Sequence, residues 1–208
     1  PKIYLVGLEH NKIVFINGRI EKIDFKYEES GKFEIKDQVD NEDLLHNVNS
    51  LVDLNSAFTN KYYKILIKEG YSFKKPLIIY NLTSNKISSK NINIRLDFDL
   101  KSNSSLKIID YSIDKSEKNF VNIVYNFNLS KDAILKNFKL DKEENNNIKY
   151  SYNNINLDTN SIAENFILSL GSSFIKNEIN CNLKGKYSSA FVNGILNLDN
   201  NKNHEIRT

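Results

Sequence analysis

Chemistry in this chain would have to start from one thiol, three histidines and a scatter of carboxylates. Cys181 lies in 174-FIKNEINCNL-183, in phase with Ile175, Ile179 and Leu183. That alternation puts it on an apolar strand face, where a free cysteine acts as a small hydrophobe. A nucleophilic thiolate needs an electropositive, partly open setting, so core packing is the expectation. His204 is followed by Glu205 in a polar segment. One imidazole and one carboxylate fall short of an iron or zinc ligand set, and a surface-loop histidine is expected. His10 and His46 have no ligand-type neighbours at a useful spacing. Asp97, Asp99 and Asp110 invite a glycosidase or lyase reading, which needs two carboxylates about 5–9 Å apart in a cleft. Asp97 and Asp99, however, alternate with Ile94, Leu96, Phe98 and Leu100, which assigns them to a wet strand face. The cluster 141-DKEENNN-147 reads as a solvated loop. There is no Gly-x-x-x-x-Gly-Lys loop, so no P-loop ATPase is encoded here. No catalytic, cofactor-binding or metal-binding residue is assigned.

The elements that must position these groups belong to a chain of 208 residues, enough for one domain with a sizeable core or two small ones. The net charge of +3 is scattered, with few arginines and no basic block. That pattern argues against a nucleic-acid partner. No apolar run reaches the ~18 residues of a membrane span, and no signal peptide is visible. A single cysteine rules out a disulfide framework and fits a reducing, cytoplasmic compartment. The sequence contains no Met and opens on Pro1, so it is expected to be a piece of a longer protein.

Residues 3-IYLVG-7 and 13-IVFINGRI-20 read as short strands, with Asn17-Gly18 as a hairpin candidate. A polar stretch runs to about residue 40. In 40–58, Leu44, Leu45, Val48, Leu51, Val52 and Ala57 fall near helical spacing, with Asp40 or Asn41 as cap. After Lys61 the pattern turns to period two: 62–70, 77–82, 92–100, 121–129, 150–157 and 174–183 all alternate apolar and polar residues.

A phrase recurs in the turns. LKSNSSLKII starts at Leu100, LSKDAILKNF at Leu129 and LDTNSIAENF at Leu157, about 28 residues apart. Asn103, Asp132 and Asn160 suit the turn, because Asx residues tolerate a left-handed backbone. A degenerate fourth copy at Leu183 puts Gly185 early in its turn. Two strands per repeat at constant pitch predict a flattened β-solenoid whose coils need their neighbours to bury a core. An antiparallel sandwich would also give evenly spaced strands but needs no recurring turn phrase. In the fourth copy, Ala190, Val192, Gly194, Leu196 and Leu198 stay in phase. A strand running through Asn193-Gly194 is therefore expected, with Gly194 marking a bulge or a close backbone approach.

The stretch 183–208 resembles the core domain of the SufB/SufD family, on its SufD side. It carries a Leu-x-Gly-x-x-Ser turn (Leu183, Gly185, Ser188), a small-residue strand with Gly194, then His204, Glu205 and Thr208. Upstream, 54-LNSAFTNKYYKILIKEGYSFKKPLIIYNL-82 resembles a SufD phrase, with Pro76 in place. Residues 166–185 resemble the family's Leu-Gly-Gly-x-x-x-Arg-Asn segment, with Ser172 for the second Gly and Lys176 for the Arg. The resemblance covers about residues 40–208. It implies an all-β-dominated, right-handed parallel β-helix with a small N-terminal α/β portion. The division would be 1–60, N-terminal strands and one helix, and 61–208, an incomplete β-helix core. It further implies a non-catalytic scaffold subunit in iron–sulfur cluster assembly, partnered by a SufB-like subunit and a SufC-like ABC ATPase. The cluster would belong to the full complex, with no cofactor bound by these residues. The family's Cys-x-His-Gly segment, its cluster-ligand candidates and most of its SufC contact would follow Thr208. The sulfur-accepting cysteine of the family belongs to SufB, which gives Cys181 no such role. A carbohydrate-active β-solenoid enzyme and a purely structural β-solenoid are the alternatives.

Overall fold

The computed structural model describes residues 5, 7–39, 49–59, 61–141, 146–199 and 201–208. Beyond the N-terminal elements the chain alternates between two sheets, one strand to each. One sheet receives β4 (Lys61–Ile67), β6 (Asn91–Leu100), β8 (Phe120–Leu129), β10 (Ile148–Leu157), β12 (Phe174–Leu183) and β14 (Asn203–Arg207). The other receives β5 (Leu77–Thr83), β7 (Ser105–Asp114), β9 (Ile134–Asp141), β11 (Ile162–Ser169) and β13 (Ser189–Leu196). All neighbours within this set pair in parallel. The result is the expected parallel β-solenoid.

Its pairing is in register, so like stacks on like. Leu100, Leu129, Leu157 and Leu183 form one column. Phe98 stacks on Phe127 with ring centroids 4.9 Å apart, close to the strand spacing that parallel pairing imposes. The recurring turn phrase is explained by backbone geometry. Asn103, Asp132 and Asn160 have φ of 56°, 59° and 57°, the left-handed region where Asn and Asp are least penalised. Each donates its N–H to the next turn along, Asn103 to Lys131 O (3.0 Å) and Asp132 to Thr159 O (3.0 Å). In the fourth turn Tyr187 takes the left-handed position, φ 61°, one residue later than its counterparts. Gly185 lies instead against the Thr159 backbone, where no Cβ would fit.

The N-terminal strands continue both sheets, two of the three running antiparallel to their neighbours. β1 (Asn11–Ile16) pairs in parallel with β5 and antiparallel with β2 (Arg19–Asp24). Asn17 and Gly18 both have positive φ, as a two-residue hairpin requires. β3 (Phe33–Val39) runs antiparallel to β4. It falls in the stretch read as polar, where Phe33, Ile35 and Val39 share one phase among charged and polar residues. Of the expected strand at 3–7, Leu5 and Gly7 are described, and neither is in a strand.

The helix α1 (Ser50–Phe58) is shorter than expected. Asn49 is extended (φ −116°), and its side chain accepts from the Leu51 N–H, so Asn49 is the N-cap. Asp40, Asn41, Leu44, Leu45 and Val48 lie outside the described residues. α1 lies on the outer face of the β6–β8 sheet, where Asn55 Nδ2 donates to the Ile94 and Asn122 carbonyls (3.2 and 2.9 Å). Asn193-Gly194 passes straight through β13, paired with Phe166 and Ile167 of β11. A Cβ on Gly194 would collide with the Ile206 side chain and stand 3.3 Å from Ile167 O. No helix among the described residues is long and apolar enough to cross a membrane.

Candidate functional site

The space between the sheets divides into two halves of opposite chemistry. One half is apolar, built on Ile65, Ile67, Leu96, Phe98, Leu100, Phe127, Leu129 and Leu157. The other is lined by buried polar side chains from nearly every coil. β5 turns Asn81 and Thr83 inward, β7 Asp110, Ser112 and Asp114, β9 Asn137, Lys139 and Asp141. β10 adds Lys149, Ser151 and Asn153, β11 Asn165 and Ser169, β12 Asn177 and β14 His204.

Two ion-pair centres organise this half. At the first, Lys139 Nζ donates to Asp110 Oδ2 (3.2 Å), and Asn81 Nδ2 donates to Asp110 Oδ1 (2.6 Å). The Asn81 amide also reaches the Tyr125 hydroxyl at 3.2 Å. Burial, reinforced by the Asp110 charge, pushes the Tyr125 phenol well up, so it stays protonated. At the second, Lys149 Nζ sits between two carboxylates. It donates to both oxygens of Asp141 (2.9 and 2.8 Å) and pairs with Asp114, which also accepts from Thr83 Oγ1 (3.1 Å). Burial alone would favour a neutral amine. The Asp141 and Asp114 carboxylates outweigh it and hold the ammonium above its ordinary range.

Beyond these centres the interior is rich in amides with incomplete pairing. Asn137 Nδ2 donates to Asn165 Oδ1 (3.2 Å). Asn137 Oδ1, Asn153 Oδ1, Asn165 Nδ2, Ser172 Oγ and both amide atoms of Asn177 are buried with no partner among the described residues. Each such group costs about 1–3 kcal/mol if left dry. This half of the interior therefore favours small polar guests over apolar packing, as buried polar sites in proteins generally do.

The residues singled out from sequence fall in different places. His204 is not a surface-loop residue. It lies on β14, paired with Ile175, and is buried inside the last coil. Its Nε2 faces Ser172 O at 2.8 Å and its Nδ1 faces Ser169 Oγ at 3.1 Å. The carbonyl can only accept, so Nε2 carries a hydrogen and donates it. Cys181 points inward, half-buried, and burial pushes its thiol up. Asp97 and Asp99 do face outward, but they are engaged rather than merely wet. Asp97 accepts from Asn126 (2.7 Å) and lies 3.6 Å from Arg95; Asp99 pairs with Lys64 (2.8 Å) and accepts from Asn128 (2.9 Å). Asp110 is inside and shares no cleft with them. His10 bonds the Tyr80 hydroxyl at 3.0 Å, and His46 lies outside the described residues. Of 141–147, Asp141 and Asn147 are buried rather than solvated, and 142–145 lie outside the described residues.

Lys139, Lys149, Asp114 and Asp141 were the residues missed. The signal was present: in 148-IKYSYNNINL-157, Lys149 shares its phase with Ile155 and Leu157. Period two places it inside, whatever its charge. Among the described residues, no three His, Cys, Asp or Glu side chains are grouped to hold a metal ion.

Comparison with known proteins bears on this architecture directly. The family described as SUF system FeS cluster assembly, SufBD core domain, matches residues 82–208, which is more than half of the chain. No match is found among curated proteins. The matched span begins within β5 and takes in every later coil, with His204 and all of the polar interior except Asn81. By that match, on a solenoid of the kind it requires, the chain belongs to the SufB/SufD family of iron–sulfur cluster assembly proteins.

Proposed function

We propose that the chain is a SufD-type, non-catalytic scaffold subunit of cytoplasmic iron–sulfur cluster assembly, acting with a SufB-like subunit and a SufC-like ATPase. The match of residues 82–208 to the SufBD core domain carries this reading. A scaffold is supported by the allocation of side chains. The charges buried between the sheets, on Lys139, Lys149, Asp110, Asp114 and Asp141, are engaged with one another. Cys181, the one thiol, is half-buried with its pKa raised by that burial, a poor setting for accepting sulfur. The nascent cluster is then cargo handled by the complex, with its ligands on other residues.

The test is co-expression of the full-length gene product with its SufB and SufC counterparts, followed by affinity capture on this chain. The expected result is a stable complex in which SufC ATPase turnover rises. Failure to associate with folded partners overturns the scaffold reading. A Cys181→Ser variant that abolishes cluster formation while leaving the complex intact overturns the non-catalytic part of it.

A further inference from the structure

A cavity of about 400 Å³ lies where four elements meet: the β1–β2 hairpin tip, the end of α1, the start of β4 and the first half of β6. It exists because β6 starts earlier than its neighbour. Pairing between β4 and β6 begins at Tyr63–Leu96, so the β6 residues 91–95 run on without β4 beside them. Asn55 covers one open carbonyl there, that of Ile94. The volume falls in the range of small-molecule sites.

The wall has a one-sided charge. Arg19, Lys61 and Arg95 line it, and no carboxylate does so among the described residues. Lys61 is engaged by Asp37 at 2.6 Å. Arg95 is only 5% exposed. Its Nη1 donates to Ser56 Oγ (3.1 Å), and its guanidinium lies over the Tyr62 ring at 4.6 Å. Its Nε is buried with no hydrogen-bond partner among the described residues, whose nearest carboxylate oxygen, on Asp97, stands at 3.6 Å. That is beyond hydrogen-bond reach. Asn93 Oδ1, also on the wall, is a buried acceptor without a donor among the described residues. Phe15, Ile20, Phe58, Tyr63 and Ile94 give the wall an apolar side, which Gly18 and Thr59 complete.

We propose that this cavity binds a small organic acid, with a carboxylate or phosphate group at Arg95 and Arg19 and an apolar or aromatic body against Phe15, Ile20 and Phe58. A guanidinium offers fixed, forked donors to such an oxyanion, and a buried one without a full set of partners gains most from one. The apolar wall separates this ligand from a bare inorganic anion. The site lies outside the polar interior and does not depend on the scaffold reading.

Isothermal titration of the full chain with phenyl phosphate tests it, with inorganic phosphate as the comparison. Saturable binding with Kd below about 1 mM, at least tenfold tighter than inorganic phosphate, is expected. Arg19→Gln, at an exposed position, should weaken phenyl phosphate binding several-fold, and Arg95→Lys should weaken it at least tenfold in protein shown to be folded by circular dichroism. No saturable binding overturns the proposal. Equal affinity for the two probes shows ion pairing only and also overturns it, as does undiminished binding by Arg19→Gln, whose fold does not depend on a buried side chain.

Discussion

Lys149 shows how much depends on one residue in the interior. It is the cation between Asp114 and Asp141. Replacing it with Met leaves two buried carboxylates facing each other, a loss of about 3–5 kcal/mol at neutral pH. The Lys149 ammonium is held above its ordinary range, so the stability it contributes is complete below the unfolded pKa of about 10.4 and is lost only as pH rises through the folded value. The Lys149→Met deficit, measured by urea denaturation, should therefore be at full size at about pH 7 and undiminished at about pH 9. Cys181 makes the opposite kind of prediction. With its thiol raised by burial, it should react with a disulfide reagent at least tenfold more slowly than a free thiol at pH 8. A rate equal to that of glutathione would contradict the half-buried placement. The Cys181 face was legible from phase alone. The His204 face was not, because His204 lies inward only once β14 pairs with β12, and its polar flanks read as a loop.

At the scale of elements, turns and strands were legible wherever backbone chemistry is local. The Asx turns and the Asn17-Gly18 hairpin are fixed by residues that tolerate positive φ. The same dipeptide at 193–194 extends as a strand, because β11 lies alongside it in register. That competition is tertiary, and only the unbroken phase of the apolar residues reported it. Helix α1 was half legible for the same reason: the apolar spacing runs on past its start, while the cap is set by contacts far along the chain. Asn49 Nδ2 donates to Tyr150 Oη (2.6 Å) and Glu178 Oε2 (2.7 Å), and Tyr150 also donates to Glu178 (2.6 Å). Burial pushes the Glu178 carboxyl up, but the hydrogen bonds from Tyr150, Lys176 and Asn49 outweigh it, and the net shift is downward from 4.5. A lowered carboxyl contributes stability that is complete above the unfolded value and fades as pH falls through the folded one. Amide exchange in α1 should accordingly accelerate below pH 4.5, after correction for intrinsic rates, before exchange in β6 and β8 does. Tyr150→Phe should cost about 1–2 kcal/mol and remove most of that pH dependence.

For the whole molecule, the repeat made the architecture legible and hid the interior. Stacking in register repeats each inward position along a column, so the sequence announces the pitch. Charge alone makes Lys139 and Lys149 look like surface residues, and only the period of two along their strands puts them between the sheets. Stability in such an array is a sum over neighbours, with ends weaker than the middle. The reversed strands β2 and β3 finish one end of the sheets. At the other, β14 covers only Phe174–Glu178 of β12, and Phe191, Ile195 and Leu183 stay exposed. In a polypeptide of these 208 residues, hydrogen exchange should be slowest in β6–β10 and fastest in β13 and β14. Uniform protection across all coils would refute this one-dimensional picture.

The clasp on Asn49 joins residues 129 positions apart in the chain. At about 5–20 residues per second, a ribosome needs roughly 6–26 s to make that distance. Helix α1 thus emerges well before the strand that fastens it, and the first coils must pass this interval with their outer face covered by an unlatched helix. A cell making this protein meets its most exposed form during synthesis, where holdase chaperones would have their window.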